Sequence, residues 1–315
     1  MTVADQHVLV LGGSGFVGRN VVGRLADAGV RVVVLTRRRE EAKHLILLPT
    51  VDVVEGNCYD AATLNRLLHG ARAAINLVGI LNETGANTFA RAHVELLREL
   101  TTACKKQGVR RLLHLSALNA DPAGPSKYLR SKGQADVLLQ ASGLATTIFR
   151  PSVIFGRGDS FLTLFAQLSR MLPVVALACP KARFQPIHVA DVAHCIVHAL
   201  ADDSTIGEVY ELAGPEVYTL RQLVQYVGQV TGAARPIIGL SPGLSKFQAA
   251  VLEMLPGKLM SRDNLASMQI DSVCIRPFPV VFGIAPTALS AIAPAYLAPE
   301  ARHSPYDPLR AARVR

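Results

Sequence analysis

Apolar runs and amphipathic segments alternate through the first half of the chain. Six runs have the length and nearly continuous apolar character of buried strands, and they cover 7–11, 31–36, 51–56, 73–79, 110–116 and 145–150. Helical spacing separates them, first in Val17, Val21, Leu25 and Ala28 and later over 86–107 and 126–142. Strands that are apolar on both sides and separated by helices are typical of a parallel sheet with helices on both faces. We therefore predict an α/β chain built on a doubly wound parallel sheet.

A glycine-rich turn, GGSGFVG, follows the first strand and contains Gly12, Gly15 and Gly18. Such glycines allow a tight turn, let the backbone approach a pyrophosphate and let the helix pack closely on the strand. The helix N-terminus then presents free N–H groups to the anion. The position within a strand–helix–strand unit favours a dinucleotide site of Rossmann type over a glycine turn without ligand. The predicted contact residues here are Gly12, Ser14, Gly15, Phe16 and Val17.

The second strand ends in Thr36, which is followed by three consecutive arginines rather than by a carboxylate. In dinucleotide sites an acidic residue at this point binds the ribose 2′-hydroxyl of NAD, whereas an arginine accommodates the 2′-phosphate of NADP. We therefore predict NADP(H) as the preferred cofactor, with Arg37 or Arg38 on the phosphate, and NAD(H) as the alternative. A solvated basic loop is the competing interpretation. Asn57 and Cys58, after the third strand, are candidates for the edge of the adenine.

The pattern becomes less regular after residue 150, where short strand-like and helix-like pieces alternate and a helical stretch covers about 240–268. The chain ends in an arginine-rich segment of loosely ordered character. We predict an NAD(P)-binding Rossmann domain over 1–155, with its sheet completed by elements up to about 210. A smaller mixed C-terminal lobe for substrate or partner contacts follows over 156–298, and a basic tail over 299–315.

Composition narrows the classes of protein further. Half of the 315 residues are hydrophobic, which is enough for an extensive core. No apolar run approaches the about 18 residues that cross a bilayer, and the N-terminus resembles neither a signal nor a transit segment, so we expect a complete, unprocessed chain. Five scattered cysteines fit neither a disulfide framework nor a zinc site. We expect a reducing, cytoplasmic location and no metal site.

The formal net charge of +9 is compatible with nucleic acid, an anionic membrane surface or a phosphorylated ligand. The basic residues are spread along the chain, aromatic residues make up only 5%, and there is no tryptophan. A nucleic-acid module with stacking aromatic side chains is therefore disfavoured.

A tyrosine and a lysine stand four residues apart in KYLRSK, at the start of the predicted helix after the fifth strand. Tyr128 and Lys132 therefore share one helix face, and Ser116 ends the preceding strand. A tyrosine with a pKa of about 10 is a poor base at neutral pH, but a nearby ammonium lowers that pKa. We predict that Tyr128 exchanges a proton with the substrate, Lys132 assists it and Ser116 holds the substrate oxygen, while a nicotinamide exchanges hydride. Two ordinary residues on a solvated helix are the alternative.

These motifs resemble those of a known superfamily. GGSGFVG, Ser116 and YLRSK are similar to the short-chain dehydrogenases/reductases, and RPSVIFGRGDSFLTLFAQL and FQPIHVADVA resemble their extended and atypical branches. With NLVGIL and MQIDSV added, the sequence most closely resembles the family of the nucleotide-binding accessory subunit of respiratory complex I and its bacterial relatives, from about residue 7 to 295. The resemblance implies tight NADPH binding and a structural or assembly role. A related branch of that family is associated with ubiquinone biosynthesis.

The resemblance also extends the set of cofactor contacts. It places the segment after the fourth strand beside the cofactor, and the segment after the sixth strand along the nicotinamide. The second placement agrees with the rule that open α/β sheets bind ligands at the carboxyl ends of their strands. The implied contacts are Leu77, Val78, Gly79, Tyr128, Lys132, Pro151, Ser152, Val153 and Ile154.

One position departs from the superfamily pattern. Active members usually carry an asparagine in the helix after the fourth strand, where it supports a water chain and the lysine, and this chain has His93 in ARAHVELL. His93 lies on an apolar stripe with Phe89, Leu97 and Leu100, so it points inward. A core histidine and a proton-relay histidine both stay open, and with them the question of whether turnover is retained.

Two further stretches of the sequence are candidates for ligand or surface contacts. His188 and Asp191 are further candidates for ligand contact, although Asp191 fits a helix N-cap equally well. The segment LSKFQAAVLEMLPGKLM, residues 244–260, is amphipathic and flanked by lysines. It predicts a core-facing helix, with docking on a membrane or a partner protein as the alternative.

Three functions fit these observations. The first is an NADP(H)-dependent reductase or dehydrogenase that acts through Ser116, Tyr128 and Lys132 on a quinone or isoprenoid-related substrate. The second is a non-catalytic NADPH-binding subunit that stabilises a respiratory or quinone-biosynthesis complex, peripheral at the inner membrane surface. The third, a nucleotide-sugar epimerase or dehydratase, lacks a convincing sugar-nucleotide site in the C-terminal half.

Overall fold

The computed structural model describes residues 6–254 and 260–298. Its main sheet consists of seven strands. They are β1 His7–Leu11, β2 Val32–Thr36, β3 Val51–Glu55, β4 Ala71–Asn76, β5 Arg111–Leu115, β6 Ala145–Pro151 and β11 Val209–Leu212. All pair in parallel, in the order β3-β2-β1-β4-β5-β6-β11. The six predicted strands are confirmed to within three residues at either end, the largest difference being that β4 ends at Asn76 rather than at 79.

Twelve α-helices connect and cover the strands within the described residues. They are α1 Phe16–Asp27, α2 Lys43–Ile46, α3 Ala61–Leu68, α4 Leu96–Gln107, α5 Lys127–Gln140, α6 Phe161–Met171, α7 Val189–Ala201, α8 Leu220–Val230, α9 Pro242–Met254, α10 Arg262–Ser267, α11 Leu289–Ile292 and α12 Pro294–Leu297. A π-helical stretch, Ala90–Glu95, leads into α4. None of these helices combines the length and the apolar character that crossing a membrane requires.

Both faces of the main sheet carry an aliphatic core. On one face the strands pack against Val21 and Leu25 of α1 and Ile196 of α7. On the other they pack against Leu68 of α3 and Leu100 of α4. The predicted doubly wound architecture is therefore confirmed, and the buried strands explain why their sequences are apolar on both sides.

The C-terminal lobe, defined here as the described residues of 156–298 without α7 and β11, is built differently. Its strands are short and pair two by two: β8 Val175–Leu177 with β13 Ile237–Gly239, and β9 Arg183–Phe184 with β12 Tyr218–Thr219. β10 Ile187–His188 pairs with β7 Ile154–Phe155, which lies directly before the lobe. A separate apolar cluster joins α6, α8, α11 and α12. The predicted division into domains stays a prediction, and the predicted basic tail lies outside the described residues.

Candidate nucleotide site and acid–base residues

The glycine turn lies where the strand order of the sheet reverses, between β1 and β4. Gly12 has a φ of +76°, and a Cβ there would lie 2.9 Å from the carbonyl carbon of Leu77. A Cβ on Gly18 would lie 2.1 Å from the carbonyl oxygen of Gly12. The turn is thus held against the end of β4 and against its own helix, at the crevice where doubly wound sheets bind ligands.

Gly15 presents the open side of this turn. A Cβ there would contact only the carbonyl oxygen of Gly12, at 3.3 Å. Gly15 is the N-cap of α1 and no side chain caps the helix. The first N–H groups of the helix, those of Phe16 and Val17, are therefore available to an anion, beside the partly exposed Ser14. These features fit a pyrophosphate approaching the backbone closely.

The three arginines after Thr36 differ in their partners. Arg38 forms an ion pair with Glu41 at 3.6 Å, and the backbone N–H of Arg39 donates to Glu55 at 2.9 Å. Arg37 is exposed and forms no ion pair within the described residues. It lies near enough to Cys58, at the end of β3, to lower the pKa of that thiol against the larger raising effect of burial. Of the two predicted phosphate ligands, Arg37 is the one whose charge is not already paired.

Asn57 and Cys58 follow β3 at the same edge of the sheet as the arginines. The side-chain oxygen of Asn57 accepts from the backbone N–H of Tyr59 at 3.0 Å, so it shapes the turn before α3. Cys58 is half-buried and packs against the core on that face. The predicted contact with the adenine edge stays a prediction, and the Asn57 oxygen is already engaged in the turn.

The segment 77–79 joins the glycine turn to the helix that carries the tyrosine and lysine. Leu77 contacts Gly12, and two residues later a Cβ on Gly79 would lie 3.5 Å from Nζ of Lys132. Lys132 is buried, and its Nζ donates to the carbonyl oxygen of Leu115 at 3.0 Å. Burial lowers the pKa of Lys132 to about 8, with the Asp136 carboxylate opposing the shift. The lysine therefore lies beside the nucleotide crevice and next to the end of β5.

Tyr128 lies one turn before Lys132 on α5. Its ring packs edge-on against Phe89 and His93, with ring centroids 5.8 and 5.7 Å away. Burial raises the pKa of Tyr128 to about 12, and the Asp136 charge adds to the shift. This direction is opposite to the expected lowering by Lys132, because burial of the phenol dominates and the Lys132 ammonium donates instead to the carbonyl oxygen of Leu115.

Asp136, four residues beyond Lys132, is a site residue that we did not identify from the sequence. It is 1% exposed and forms an ion pair with Arg150 of β6, with 2.8 Å between Oδ2 and Nε. Burial raises the pKa of Asp136, against the opposing effects of Ser116 and Arg150. The Ser116 hydroxyl is close enough to contribute, yet Oγ of Ser116 and Oδ1 of Asp136 have no well-formed hydrogen bond within the described part of the chain. The sequence signal for Asp136 was its spacing of four residues from Lys132, which places both side chains on one face of the helix.

His93 is a core residue with a structural bonding pattern. Its Nε2 accepts from the backbone N–H of Ile80 at 3.3 Å, so its Nδ1 carries the proton and donates to Ser131 Oγ at 2.8 Å. Ser131 in turn donates to the carbonyl oxygen of Tyr128 at 2.8 Å. Burial, together with the charge of Lys132, lowers the pKa of His93 to about 2. The ring is therefore neutral and ties the π-helical stretch to the loop after β4 and to α5, which favours the core interpretation.

The residues at the end of β6 and directly after it differ in their hydrogen bonding and exposure. The Ser152 hydroxyl donates to the carbonyl oxygen of Ser272 at 2.8 Å and lies 3.0 Å from the Ser272 hydroxyl, so it is bonded within the protein. Pro151 is buried at the end of β6, while Val153 and Ile154 are partly exposed. These residues lie at the carboxyl end of the sheet, as predicted, and the nicotinamide contact itself stays a prediction.

The second pair of candidates has structural partners as well. Asp191 accepts from the backbone N–H and the hydroxyl of Thr287, at 2.7 and 3.0 Å. It lies inside the first turn of α7, whose N-cap is His188. Asp191 is thus neither the predicted N-cap nor a free ligand, and the half-buried His188 packs beside Phe155.

The C-terminal lobe reaches the tyrosine helix through Asp263 of α10. Its two carboxylate oxygens accept from the backbone N–H groups of Lys127 and Tyr128, at 2.7 and 3.0 Å. These bonds satisfy helix donors that have no intrahelical partner and supplement the local cap, Ser126. Local sequence carries no signal for a cap 135 residues away.

Comparisons with known proteins agree with this geometry. The chain is 35% identical, over 73% of its length and 62% of the relative's, to mouse NADH dehydrogenase [ubiquinone] 1 alpha subcomplex subunit 9, mitochondrial. It thus spans about three-fifths of that relative. It is 31% identical to ceramide reductase of Caulobacter vibrioides, over 79% of this chain and 78% of that one. The resemblance drawn from the sequence is confirmed.

The fold is confirmed by a solved structure. A dTDP-glucose 4,6-dehydratase from Streptomyces venezuelae with NAD bound superposes with a TM-score of 0.64 at 23% identity, over 76% of this chain and 86% of that one. The model of the NAD dependent epimerase/dehydratase family matches residues 8–213, which include every strand of the main sheet except the first residue of β1. The chain belongs to the NAD dependent epimerase/dehydratase family.

Proposed function

We propose that this protein is an NADP(H)-dependent oxidoreductase of the short-chain dehydrogenase/reductase type. The observation that carries the proposal is the continuous contact from Gly12 through Leu77 to Gly79 and Lys132. It brings the open glycine turn and the acid–base helix to one crevice, separated by three residues of backbone. A dinucleotide with its pyrophosphate on the turn would extend toward Lys132.

The proposed preference for NADP(H) rests on the end of β2. A 2′-phosphate needs a cation that is accessible and not already paired, and Arg37 meets both conditions. No acidic side chain follows Thr36 within the next three residues to hold a ribose hydroxyl. NAD(H) stays the alternative.

Reduction of a carbonyl is the direction that the acid–base residues support. With its pKa raised to about 12, the Tyr128 phenol is protonated at neutral pH and is poised to donate its proton to a substrate oxygen. The nicotinamide, when bound, supplies hydride. Lys132, with a pKa of about 8, is mostly charged at neutral pH. To stabilise the phenolate that the proton transfer leaves, its ammonium has to turn from the Leu115 carbonyl toward Tyr128. The Ser116 hydroxyl, which is buried close to Asp136, is the candidate group to hold the substrate oxygen.

A second candidate function is a non-catalytic NADPH-binding subunit of a respiratory or quinone-biosynthesis complex, peripheral at the inner membrane surface. The observation that favours it is the Lys132 bond to Leu115 together with a Tyr128 pKa that is raised rather than lowered. The name of the bacterial reductase supports the enzyme, and the name of the mouse relative supports the subunit. Both candidates use the same nucleotide residues.

The two functions are separated by following the nucleotide in the purified protein. Bound nucleotide is released by denaturation, identified by mass spectrometry, and its oxidation by quinone and isoprenoid ketone acceptors is followed in the intact protein. We expect NADPH that exchanges and is oxidised, and we expect Tyr128→Phe to abolish oxidation while bound nucleotide is unchanged. Tyr210→Phe, in β11, is the matched control and should keep turnover. NADPH that neither exchanges nor oxidises would overturn the enzyme proposal in favour of the subunit.

Cofactor preference is tested at the two arginines. We expect Arg37→Asp to weaken NADPH binding at least about tenfold and to leave NADH affinity unchanged or improved, since it removes the cation and adds a carboxylate. Arg38 already pairs with Glu41, so Arg38→Asp should weaken NADPH binding less than Arg37→Asp does. Equal dissociation constants for NADPH in Arg37→Asp and the wild type would remove the basis for the assignment.

A further inference from the structure

Helix α9 has its apolar side chains on the outside. Its buried positions are the small residues Ser245 and Ala249. Leu244, Phe247 and Val251 are 55%, 70% and 44% exposed, and their spacing of three and four places them on one face of the helix. We call these three residues the α9 stripe. A surface helix normally turns such a face toward the core, so the predicted core-facing orientation is wrong for these three side chains. Residues 255–259 of the predicted segment 244–260 lie outside the described residues.

The elements next to α9 also expose apolar side chains. Ile238 of β13, which precedes α9, is exposed, and so are Met171 and Val174 at the entrance of β8, the strand that pairs with β13. Gln248 of α9 donates to the carbonyl oxygen of Ala176 in β8 at 2.9 Å, which fastens the helix to this pair of strands. The exposed apolar side chains therefore come from neighbouring elements of one region of the lobe.

This region is basic. The stretches 170–182 and 231–253 that form it contain four basic residues and one acidic residue. The acidic residue, Glu253, is paired with Arg262 at 2.9 Å. Lys246, directly before Phe247 of the α9 stripe, is exposed. The basic residues are Arg170, Lys181, Arg235 and Lys246.

We propose that the α9 stripe docks this protein on an anionic lipid membrane. Apolar side chains that project from one face of a helix carrying a basic residue are the arrangement that inserts into the boundary between headgroups and acyl chains. The local excess of positive charge complements an anionic headgroup layer, and each basic residue near that surface contributes to binding.

One helix, α10, connects the helix that carries the α9 stripe with the candidate site. α10 packs against both α9 and α5, and Asp263 of α10 holds the first turn of α5 at Tyr128. The α9 stripe shares no residue with the nucleotide crevice. The inference therefore goes beyond the proposed nucleotide chemistry, and either can fail without the other.

The test is co-sedimentation of the full chain with vesicles of phosphatidylglycerol and phosphatidylethanolamine, compared with phosphatidylcholine alone. We expect binding to the anionic vesicles that weakens with salt. Phe247→Ser should reduce the partition coefficient about tenfold, because a large apolar side chain no longer leaves water. Lys246→Glu should reduce binding to anionic vesicles selectively. Leu47→Ser, at the end of α2 and 85% exposed, is the matched control and should bind as the wild type does.

Bound nucleotide and the unfolding midpoint are measured on the same samples and should be unchanged in every variant, since all three side chains are exposed. Several results would overturn the proposal. They are no binding to either vesicle, equal binding by the wild type and Phe247→Ser, or equal binding to anionic and neutral vesicles. Self-association that Phe247→Ser abolishes, without vesicle binding, would instead assign the α9 stripe to a second copy of the chain.

Discussion

The main sheet and the C-terminal lobe are held by different kinds of interaction. Six consecutive parallel pairings join the seven strands, and aliphatic side chains cover both faces. The lobe combines two-stranded sheets with a separate apolar cluster of helices, and single side chains attach it to the backbone of neighbouring elements. Asp263 binds α5, Asp191 binds Thr287, and Ser152 binds Ser272.

This difference indicates how each region responds to substitution. Burial in the sheet is distributed over many aliphatic residues, so single polar changes at its surface have little effect. The attachments of the lobe include a few charge-assisted bonds, those of Asp263 and Asp191, and each is stronger than a neutral one. We expect close packing to decide the stability of the sheet and individual polar groups to decide the placement of the lobe. The following predictions test that comparison, from the largest effect to the smallest.

The largest effect is expected at the glycine turn. Gly18→Ala places a Cβ 2.1 Å from the carbonyl oxygen of Gly12, so the turn must move. We expect a loss of at least about 3 kcal/mol in the free energy of unfolding and loss of bound nucleotide. Gly23→Ala, in the same helix with nothing within 4 Å, is the control. It should gain about 0.5–1 kcal/mol from higher helix propensity. Urea unfolding measures both, and a similar result for the two variants would contradict the close-packing argument.

Next is the buried ion pair between α5 and β6. Asp136→Asn leaves Arg150 with a neutral partner in a site that is almost closed to solvent. We expect a loss of about 3 kcal/mol in unfolding free energy, since the remaining charge stays partly buried. Asp52→Asn breaks an exposed pair with Arg31 and should cost less than about 0.5 kcal/mol. Chemical denaturation of both variants measures their losses in unfolding free energy. Equal losses would show that burial of the ion pair does not cause the larger loss expected for Asp136→Asn.

The third prediction concerns the link between the lobe and the tyrosine helix. Asp263→Ala removes two hydrogen bonds to the first turn of α5, and we expect a loss of about 1–2 kcal/mol. Amide hydrogen exchange at Lys127 and Tyr128 should become faster. Asp60→Ala removes the local cap of α3 and is the control. It should cost about 1 kcal/mol without any change in exchange at α5. Unchanged exchange in Asp263→Ala would mean that Ser126 alone secures this helix.

The smallest effect is a pH dependence from His93. Its pKa in the folded protein is lowered to about 2, so below its ordinary value of about 6.5 the unfolded chain binds a proton that the folded chain does not. The stabilisation is complete above pH 6.5 and is lost as the pH falls, by about 1 kcal/mol between pH 6.5 and 5.5. Unfolding free energies measured across this range should fall less steeply in His93→Gln. His69→Gln, on the exposed end of α3, should keep the wild-type slope; a wild-type slope in His93→Gln would contradict a neutral buried ring.

Much of the sheet and part of the site could be read from the sequence. Buried strands need continuous apolar runs, and a turn that approaches β4 within van der Waals distance needs Gly12, so both leave a local signal. The four-residue spacing of Tyr128 and Lys132 likewise fixes their common helix. The roles of Asp136 and Asp263 could not be read, because a carboxylate on a helix has the same local sequence whether it faces solvent, Arg150 or the N-terminus of another helix.

The sequence by itself determined the doubly wound sheet, the glycine turn and the placement of an arginine cluster at the end of β2. These depend on periodicity and on the backbone freedom of single residues. Only the tertiary structure decided that the Tyr128 pKa is raised, that His93 is a neutral, buried ring hydrogen-bonded to neighbouring elements, and that the α9 stripe faces outward. Those properties depend on desolvation and on partners far along the chain, and both quantities are set when the helices pack.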